Sequence, residues 1–175
     1  MTLDGLSALD AHLSEDEKMI RDTVRRFVRE RYLPRAAELF EKEQFPTDLI
    51  SGIAEMGLLG ASIQGYGCAG MSAVQYGLML QELEYGDGGL RSFVSVQGSL
   101  VMHSIYAYGS EEQKQKYLPA MAQAKLIGCF GLTEPDSGSD PGSMKTRARR
   151  DGGDYVISGT KMWITNSPLA HLAVV

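Results

Sequence analysis

The residues of this chain that could do chemistry concentrate between positions 127 and 165. An apolar run, Ile-Gly-Cys-Phe-Gly-Leu-Thr at 127–133, leads into the turn-rich string Glu-Pro-Asp-Ser-Gly-Ser-Asp-Pro-Gly-Ser at 134–143. A second cluster, Gly-Thr-Lys-Met-Trp-Ile-Thr, occupies 159–165. Such loops present backbone amides and short hydroxyls, which suit a bound anion or the polar edge of a cofactor. On composition alone, an ordinary Pro/Gly surface turn explains the pattern equally well.

The complete strings are more specific than their composition. Phe-Gly-Leu-Thr-Glu-Pro-x-x-Gly-Ser-Asp at 130–140 (the first motif) and Gly-Thr-Lys-x-Trp-Ile-Thr at 159–165 (the second motif) resemble the acyl-CoA dehydrogenase family. The closer resemblance is to its glutaryl-CoA dehydrogenase branch, and it covers essentially the whole chain. It implies a reaction in which a glutamate takes the α-proton of an acyl-CoA and the β-hydrogen leaves as hydride to FAD. Reduced flavin then passes its electrons to an electron-transfer flavoprotein.

A flavin needs a dry face for its ring, hydrogen bonds at the ring edge and a polar path for its tail. The two motifs offer planar side chains and hydroxyls of these types. Taken singly, Phe130 and Trp163 would more often be core residues, and only their place inside the motifs favours a cofactor role. The resemblance implies FAD contact by Phe130, Leu132, Thr133, Ser139, Trp163, Ile164 and Thr165.

Residues 84–92, Glu-Tyr-Gly-Asp-Gly-Gly-Leu-Arg-Ser, resemble the glutaryl branch in particular. There an arginine and the serine after it hold the distal carboxylate of the substrate, which implies that Arg91 and Ser92 do so here. The resemblance also implies that Ser139 and Glu84 bind substrate. The fork of a guanidinium matches a carboxylate. The alternative is an internal salt bridge from Arg91 to Glu84 or Asp87.

Three functions follow from these residues. The first is oxidation of glutaryl-CoA, with or without loss of CO2 to give crotonyl-CoA. The second is a short-chain acyl-CoA dehydrogenase acting on monocarboxylic substrates, in which Arg91 is structural. The third is a non-catalytic module that binds acyl-CoA or flavin. The sequence does not separate decarboxylating from non-decarboxylating members of the branch.

Periodicity predicts an α+β protein with helices first and strands second. Ser14 to Glu17 and Ser110 to Gln113 are typical of helix N-terminal capping boxes. The helical pattern ends near Lys125, so we predict an N-terminal α-helical domain over 1–125. Residues 126–175 then form the first part of a mainly antiparallel middle β domain, with a hairpin at 146–157 and a strand at 172–175. In the first helix we expect the basic side chains to be solvated: Arg21, Arg25, Arg29 and Arg31.

Composition limits the partners. The chain is 43% hydrophobic and 22% charged, with a net charge of −5 that disfavours nucleic acid. Its two cysteines have neither metal-ligand nor disulfide-framework spacing, so we predict no metal site. We see neither a secretory signal nor a stretch of membrane-spanning length. We therefore expect a cytoplasmic protein without a membrane partner.

The resemblance also implies what lies elsewhere in such an enzyme. The catalytic glutamate of the family belongs to a C-terminal helical bundle, so we expect it beyond Val175 and expect no catalytic base within this chain. We accordingly expect these 175 residues to be an incomplete N-terminal part of a longer protein. The complete enzyme is expected to be a homotetramer.

Overall fold

The computed structural model describes residues 9–175, in which helices precede strands as predicted. The helices are α1 (Glu15–Phe27), α2 (Ala36–Glu41), α3 (Ile50–Glu55), α4 (Ala73–Gly86), α5 (Gly88–Ser95), α6 (His103–Tyr108) and α7 (Glu111–Ala122). Two π-helical segments, Val28–Tyr32 and Val96–Met102, continue α1 and α5. The strands are β1 (Gly128–Phe130), β2 (Arg147–Asp151), β3 (Asp154–Ser158) and β4 (Leu172–Val174). The α+β class is confirmed.

The longer helices begin where polar side chains satisfy their first backbone amides. Both predicted capping boxes are present, with Ser14 paired to Glu17 and Ser110 paired to Gln113. A third capping box starts α4 at Ser72. Each box satisfies two amides that have no partner inside the helix, which fixes where the helix starts.

The helical half closes around one apolar core. Both π-helical segments and all α-helices except α6 contribute buried side chains to it, and the loop after α3 adds Leu58, Leu59, Ala61 and Ile63. Gly98 lies where this loop crosses the long helix, and a Cβ on Gly98 would lie 3.0 Å from the backbone nitrogen of Gly60. A glycine at this position therefore allows the two backbones to approach closely. The largest fully buried side chains include Phe93, Leu49, Ile53, Met79, Leu83, Leu90, Met102 and Leu118.

The expectation that all arginines of the first helix are solvated is wrong for Arg21. Its side chain is buried and forms ion pairs with Asp10 and Asp22. Arg25 is half-buried and binds both carboxylate oxygens of Glu82 on α4, at 3.0 and 2.8 Å. A buried charge is tolerated when a counter-charge and hydrogen bonds offset its desolvation. Periodicity missed the pairs with Asp10 and Glu82 because these two acidic residues come from other segments of the chain.

The strands form two separate pairs. β2 and β3 make the predicted antiparallel hairpin, and every residue of both strands is exposed. β1 and β4 pair in parallel, with Gly128 opposite Leu172 and Phe130 opposite Val174. Among the strands within residues 9–175, antiparallel pairing is thus limited to the hairpin, and one isolated antiparallel bridge joins Glu134 and Ser137. The chain leaves β1 at Phe130, passes through both motifs and returns at β4.

The sequence predicts neither a membrane span nor a metal site. No helix between residues 9 and 175 combines the length and apolar character that crossing a bilayer requires. Within the same range, His, Cys, Asp and Glu do not gather into a group able to hold a metal ion.

Candidate functional site

The two motifs lie side by side because Lys161 of the second motif reaches into the first. Its ammonium donates to the carbonyl of Leu132 at 3.0 Å and to the Glu134 carboxylate at 2.9 Å. The backbone amide of Met162 donates to the carbonyl of Thr133 at 2.9 Å. Segments almost thirty positions apart in the sequence are therefore fixed to each other by one side chain and one backbone contact.

Glu134 is the centre of this arrangement. Its side chain is 6% exposed, and its carboxylate accepts hydrogen bonds from the amides of Lys145 at 2.7 Å and Thr146 at 3.0 Å. Its backbone exchanges two hydrogen bonds with Ser137, each 3.1 Å long. A carboxylate that accepts several backbone amides is a strong anchor for a loop. Glu134 thereby fixes the Gly/Ser-rich turn against the residues that precede the hairpin.

The same contacts set the ionisation of Glu134. The Thr146 side chain, the Lys145 amide and the Lys161 ammonium lower its pKa from 4.5 to about 2. The buried Thr146 hydroxyl makes no hydrogen bond of acceptable geometry. We therefore assign the lowered pKa to the two backbone amides and the ammonium, which favour the charged form. Glu134 stays ionised at any physiological pH, and a carboxylate with such a low pKa is a weak base.

The predicted cofactor residues divide into two groups. Phe130 and Leu132 line a cavity of about 240 Å³ with residues of the hairpin and with Lys161. The other five do not line that cavity, and Ser139, Trp163 and Thr165 are exposed. The structure thus places all seven on the two joined motifs without enclosing them in a single pocket.

Trp163 combines an exposed side chain with an unusual backbone conformation. Its indole is 84% exposed and its φ is +58°, in the left-handed region that bulky residues rarely adopt. Such a backbone conformation costs on the order of 1–3 kcal/mol and occurs preferentially at ligand sites. An exposed indole in this conformation contributes little to a core, which favours a binding role.

The donor set beside Trp163 fits the polar edge of a flavin ring. Within residues 9–175, the amides of Thr133, Ile164 and Thr165 have no protein acceptor. Free amides next to a planar apolar group are the combination that an isoalloxazine edge and face require. The two motifs would therefore hold FAD with residues 132–133 and 163–165, and the residues present fit the group.

The predicted substrate residues lie on α5 and at the end of α4. Arg91 is half-buried, and its Nε donates to Glu84 Oε2 at 2.5 Å. Its Nη1 lies 3.5 Å from Ser95 Oγ, so the guanidinium retains donors for another acceptor. Ser92 is half-buried beside it, whereas Ser139 belongs to the first motif. The structure thus contains the internal Arg91–Glu84 salt bridge, and the guanidinium retains donors for a second carboxylate.

Sequence reasoning missed three positioning residues: Glu134, Lys161 and Asn166. Lys161 is the one charged residue of the second motif and Glu134 is one of three acidic residues in 130–140, so their opposite signs were an available signal for a pair. Asn166 directly follows the second motif and is buried with φ of +70°. Its side-chain amide donates to the carbonyl of Phe93 on α5 at 3.2 Å, which connects the motifs to the helix that carries Arg91.

Known families match both halves of this chain. The N-terminal domain of acyl-CoA dehydrogenases matches residues 14–125, and the middle domain of the same enzymes matches residues 129–175. Together with the helix-then-strand order and the two joined motifs, this shows that the chain belongs to the acyl-CoA dehydrogenase family. FAD is supported as its cofactor both by this membership and by a related structure determined with FADH2.

Related proteins point to two branches of the family. Glutaryl-CoA dehydrogenase from Mycobacterium smegmatis is 56% identical, with a TM-score of 0.95 over 98% of this chain and 45% of that chain. A glutaryl-CoA dehydrogenase from the same organism in complex with FADH2 is 57% identical, with a TM-score of 0.92 over 95% of this chain and 43% of that one. The mitochondrial short-chain specific acyl-CoA dehydrogenase of Rattus norvegicus is 37% identical over 93% of this chain and 40% of its own length. The chain thus spans less than half the length of these relatives.

Proposed function

We propose that this chain is part of an enzyme that carries out FAD-dependent α,β-dehydrogenation of glutaryl-CoA, with decarboxylation to crotonyl-CoA, in amino-acid degradation. Electrons pass to an electron-transfer flavoprotein, and the enzyme is a cytoplasmic homotetramer. Similarity to the two glutaryl-CoA dehydrogenases supports this substrate. The observation that carries the proposal is Arg91, a half-buried guanidinium with spare donors on the helix linked to the cofactor motifs.

In this proposal each part of the chain has one task. Arg91 and Ser92 bind the distal carboxylate of the acyl group, and Glu84 keeps the guanidinium oriented. Residues 132–133 and 163–165 hold the flavin edge, to which the free amides of Thr133, Ile164 and Thr165 donate. When bound, FAD supplies the acceptor for the hydride that leaves the β-carbon. Glu134 is too weak a base to take the α-proton. We therefore propose that the base lies outside the segment that this chain shares with its relatives.

Oxidation of a monocarboxylic acyl-CoA is the second candidate function. It is favoured by the salt bridge between Arg91 and Glu84, because a guanidinium already paired within the protein has a structural role without any substrate. The similarity to the short-chain enzyme of Rattus norvegicus supports the same reading of the site. The two candidates differ in whether Arg91 discriminates between substrates.

Substitution of Arg91 tests the proposal in the full-length, FAD-loaded protein. Arg91→Gln should lower kcat/KM for glutaryl-CoA at least tenfold and leave butyryl-CoA nearly unaffected. The reason is that a charged, bidentate hydrogen bond contributes about 1.5–3 kcal/mol. The exposed Arg29 lies outside the site, so Arg29→Gln is the matched control and should change neither value. Equal losses on both substrates would make Arg91 structural and favour the monocarboxylic enzyme. A protein whose flavin is not bleached by either substrate would instead support a non-catalytic module.

A further inference from the structure

Asn166 occupies the point where three parts of the molecule meet. Asn166 directly follows the second motif and is only 8% exposed. Its side-chain nitrogen donates to the carbonyl of Phe93 at 3.2 Å and to the carbonyl of Gly128 at 3.4 Å. Phe93 lies on α5 two positions after Arg91, and Gly128 begins the strand that leads into the first motif. One side-chain amide therefore contacts both α5, the helix that carries Arg91, and β1, the strand that leads into the first motif.

A second buried amide completes the contact around Gly128. Gln97, on the π-helical continuation of α5, is fully buried, and its oxygen accepts from the Gly128 amide at 2.8 Å. Its nitrogen donates to the carbonyls of Leu126 at 2.9 Å and Met121 at 3.3 Å. Gln97 thus holds the nitrogen of Gly128, and Asn166 holds its oxygen. A Cβ at Gly128 would lie 2.5 Å from Val101 Cγ1, so this strand rests directly on the helix.

The hydrogen bonds of its side-chain amide, and not its backbone conformation, explain why residue 166 is an asparagine. The φ of +70° would be adopted most easily by glycine. Glycine would satisfy the turn but leave the contacts to Phe93 and Gly128 unmade. Asparagine tolerates the left-handed region and also supplies the donor. A polar side chain buried in this way costs free energy unless its hydrogen bonds are made.

We infer that Asn166 is a positioning residue that couples the substrate helix α5 to the flavin-binding residues 163–165. The inference rests on the proposed function, because it concerns the distance between the acyl group held by Arg91 and the flavin edge held by the second motif. Hydride transfer requires the donor carbon and acceptor to be held in a near-attack geometry. A displacement of about 1 Å can cost on the order of a hundredfold in rate.

The first arm of the test measures coupling without any turnover. Hydrogen exchange is followed in the full-length protein with and without FAD. In the wild type, FAD should slow exchange at residues 163–166 and also at residues 93–97, which do not belong to either motif. In Asn166→Gly, FAD should slow exchange at residues 163–166 only. Glu43→Gly is the matched control, because Glu43 is exposed and also has a positive φ of 52°. It should retain both effects.

The second arm measures the rate of flavin reduction in a single turnover. Asn166→Gly should bind FAD within about threefold of the wild-type affinity and be reduced at least tenfold more slowly by glutaryl-CoA. A loss confined to FAD affinity, with an unchanged reduction rate, would overturn the inference and leave Asn166 a cofactor-loop residue. FAD protection at 93–97 that survives in Asn166→Gly would overturn it as well.

Two further outcomes keep this test decisive. If Asn166→Gly does not fold, the wild type alone still decides, because absence of FAD protection at 93–97 contradicts the coupling. If neither glutaryl-CoA nor butyryl-CoA reduces the wild-type flavin, the proposed enzymatic function fails. In that case the exchange measurement still decides whether residue 166 transmits cofactor binding to α5.

Discussion

The helical and strand parts of the chain are held together by different means. Residues up to α7 bury Phe93, Leu90, Met102 and other large side chains in one continuous core. In the strand part, β2 and β3 are exposed along their whole length, whereas Ile127 joins the core and residues of β1 and β4 pack against it. The motifs between the strands are fixed instead by Glu134, Lys161 and Asn166, through hydrogen bonds and one ion pair.

This difference separates stability from site geometry. Apolar burial is insensitive to direction, whereas hydrogen bonds fix both distance and angle. The helical part can therefore supply most of the folding free energy and act as a rigid base. The motif part uses directional contacts to place the groups that we propose to bind flavin, at a lower intrinsic stability. Substitutions should accordingly have large global effects in the first part and local effects in the second.

The largest expected effect in this comparison is at Glu82. Glu82→Gln should lower the free energy of unfolding by about 3 kcal/mol, because it removes a buried carboxylate that accepts two hydrogen bonds from the Arg25 guanidinium. Urea unfolding followed by circular dichroism measures this loss. As a control, Glu15→Gln removes one partner of the exposed Lys18–Glu15 ion pair in α1 and should cost less than about 0.5 kcal/mol. Similar losses in both variants would show that the helical part does not depend on its buried ion pair.

A smaller effect, visible mainly as a change in pH dependence, is expected at Glu134. The folded pKa is about 2, below the value of about 4.3 for an unfolded glutamate, so the unfolded state binds the proton first as the pH falls. The stabilisation is complete above the unfolded pKa and is lost as the pH falls towards 2. Glu134→Gln should therefore have a lower Tm than wild type at pH 5.5, with a smaller difference at pH 3.5.

The control for this experiment lies in the same loop. Asp136 forms an exposed ion pair with Lys145, so Asp136→Asn should change Tm little at either pH. Glu134→Gln should also weaken FAD binding, because the two motifs lose their common anchor. A constant Tm difference between pH 5.5 and 3.5 would mean that the Glu134 carboxylate does not stabilise the folded loop.

The smallest effect is expected on the hairpin. Arg149 and Asp151 form an ion pair of 3.5 Å between side chains that are both more than 60% exposed. Arg149→Gln should change the free energy of unfolding by less than about 0.5 kcal/mol, since water and salt screen such pairs. Equilibrium unfolding in urea measures it. A loss above 1 kcal/mol would place Arg149 in a contact that the hairpin alone does not provide.

Local patterns were sufficient for the order of elements. Ser14 and Ser110 begin helices as predicted, and the turn at 152–153 closes the hairpin. The α+β class followed from these signals because each depends on residues a few positions apart. The motifs also identified the family and its FAD cofactor, while the assignment of individual residues to FAD or substrate stays a prediction.

Contacts between distant residues were not predictable in the same way. The burial of Arg21 depends on Asp10 and Asp22 in the folded chain, and the pair of Arg25 depends on Glu82 of another helix. The parallel pairing of β1 with β4 is likewise set by the fold, since strand patterning does not specify the partner of a short strand. Asn166 gave no signal, because its two acceptors are backbone carbonyls, which every residue possesses.

The parallel pair β1–β4 also bears on the order in which the chain folds. Residues 131–171 form the long connection between β1 and β4. This connection must close before the Gly131 amide can donate to the carbonyl of Val174. Closing a long loop costs entropy before its contacts form, whereas helices form through local contacts. The connection should therefore close late in folding and open first in unfolding. A ligand that binds only the closed connection would drive this last step by mass action.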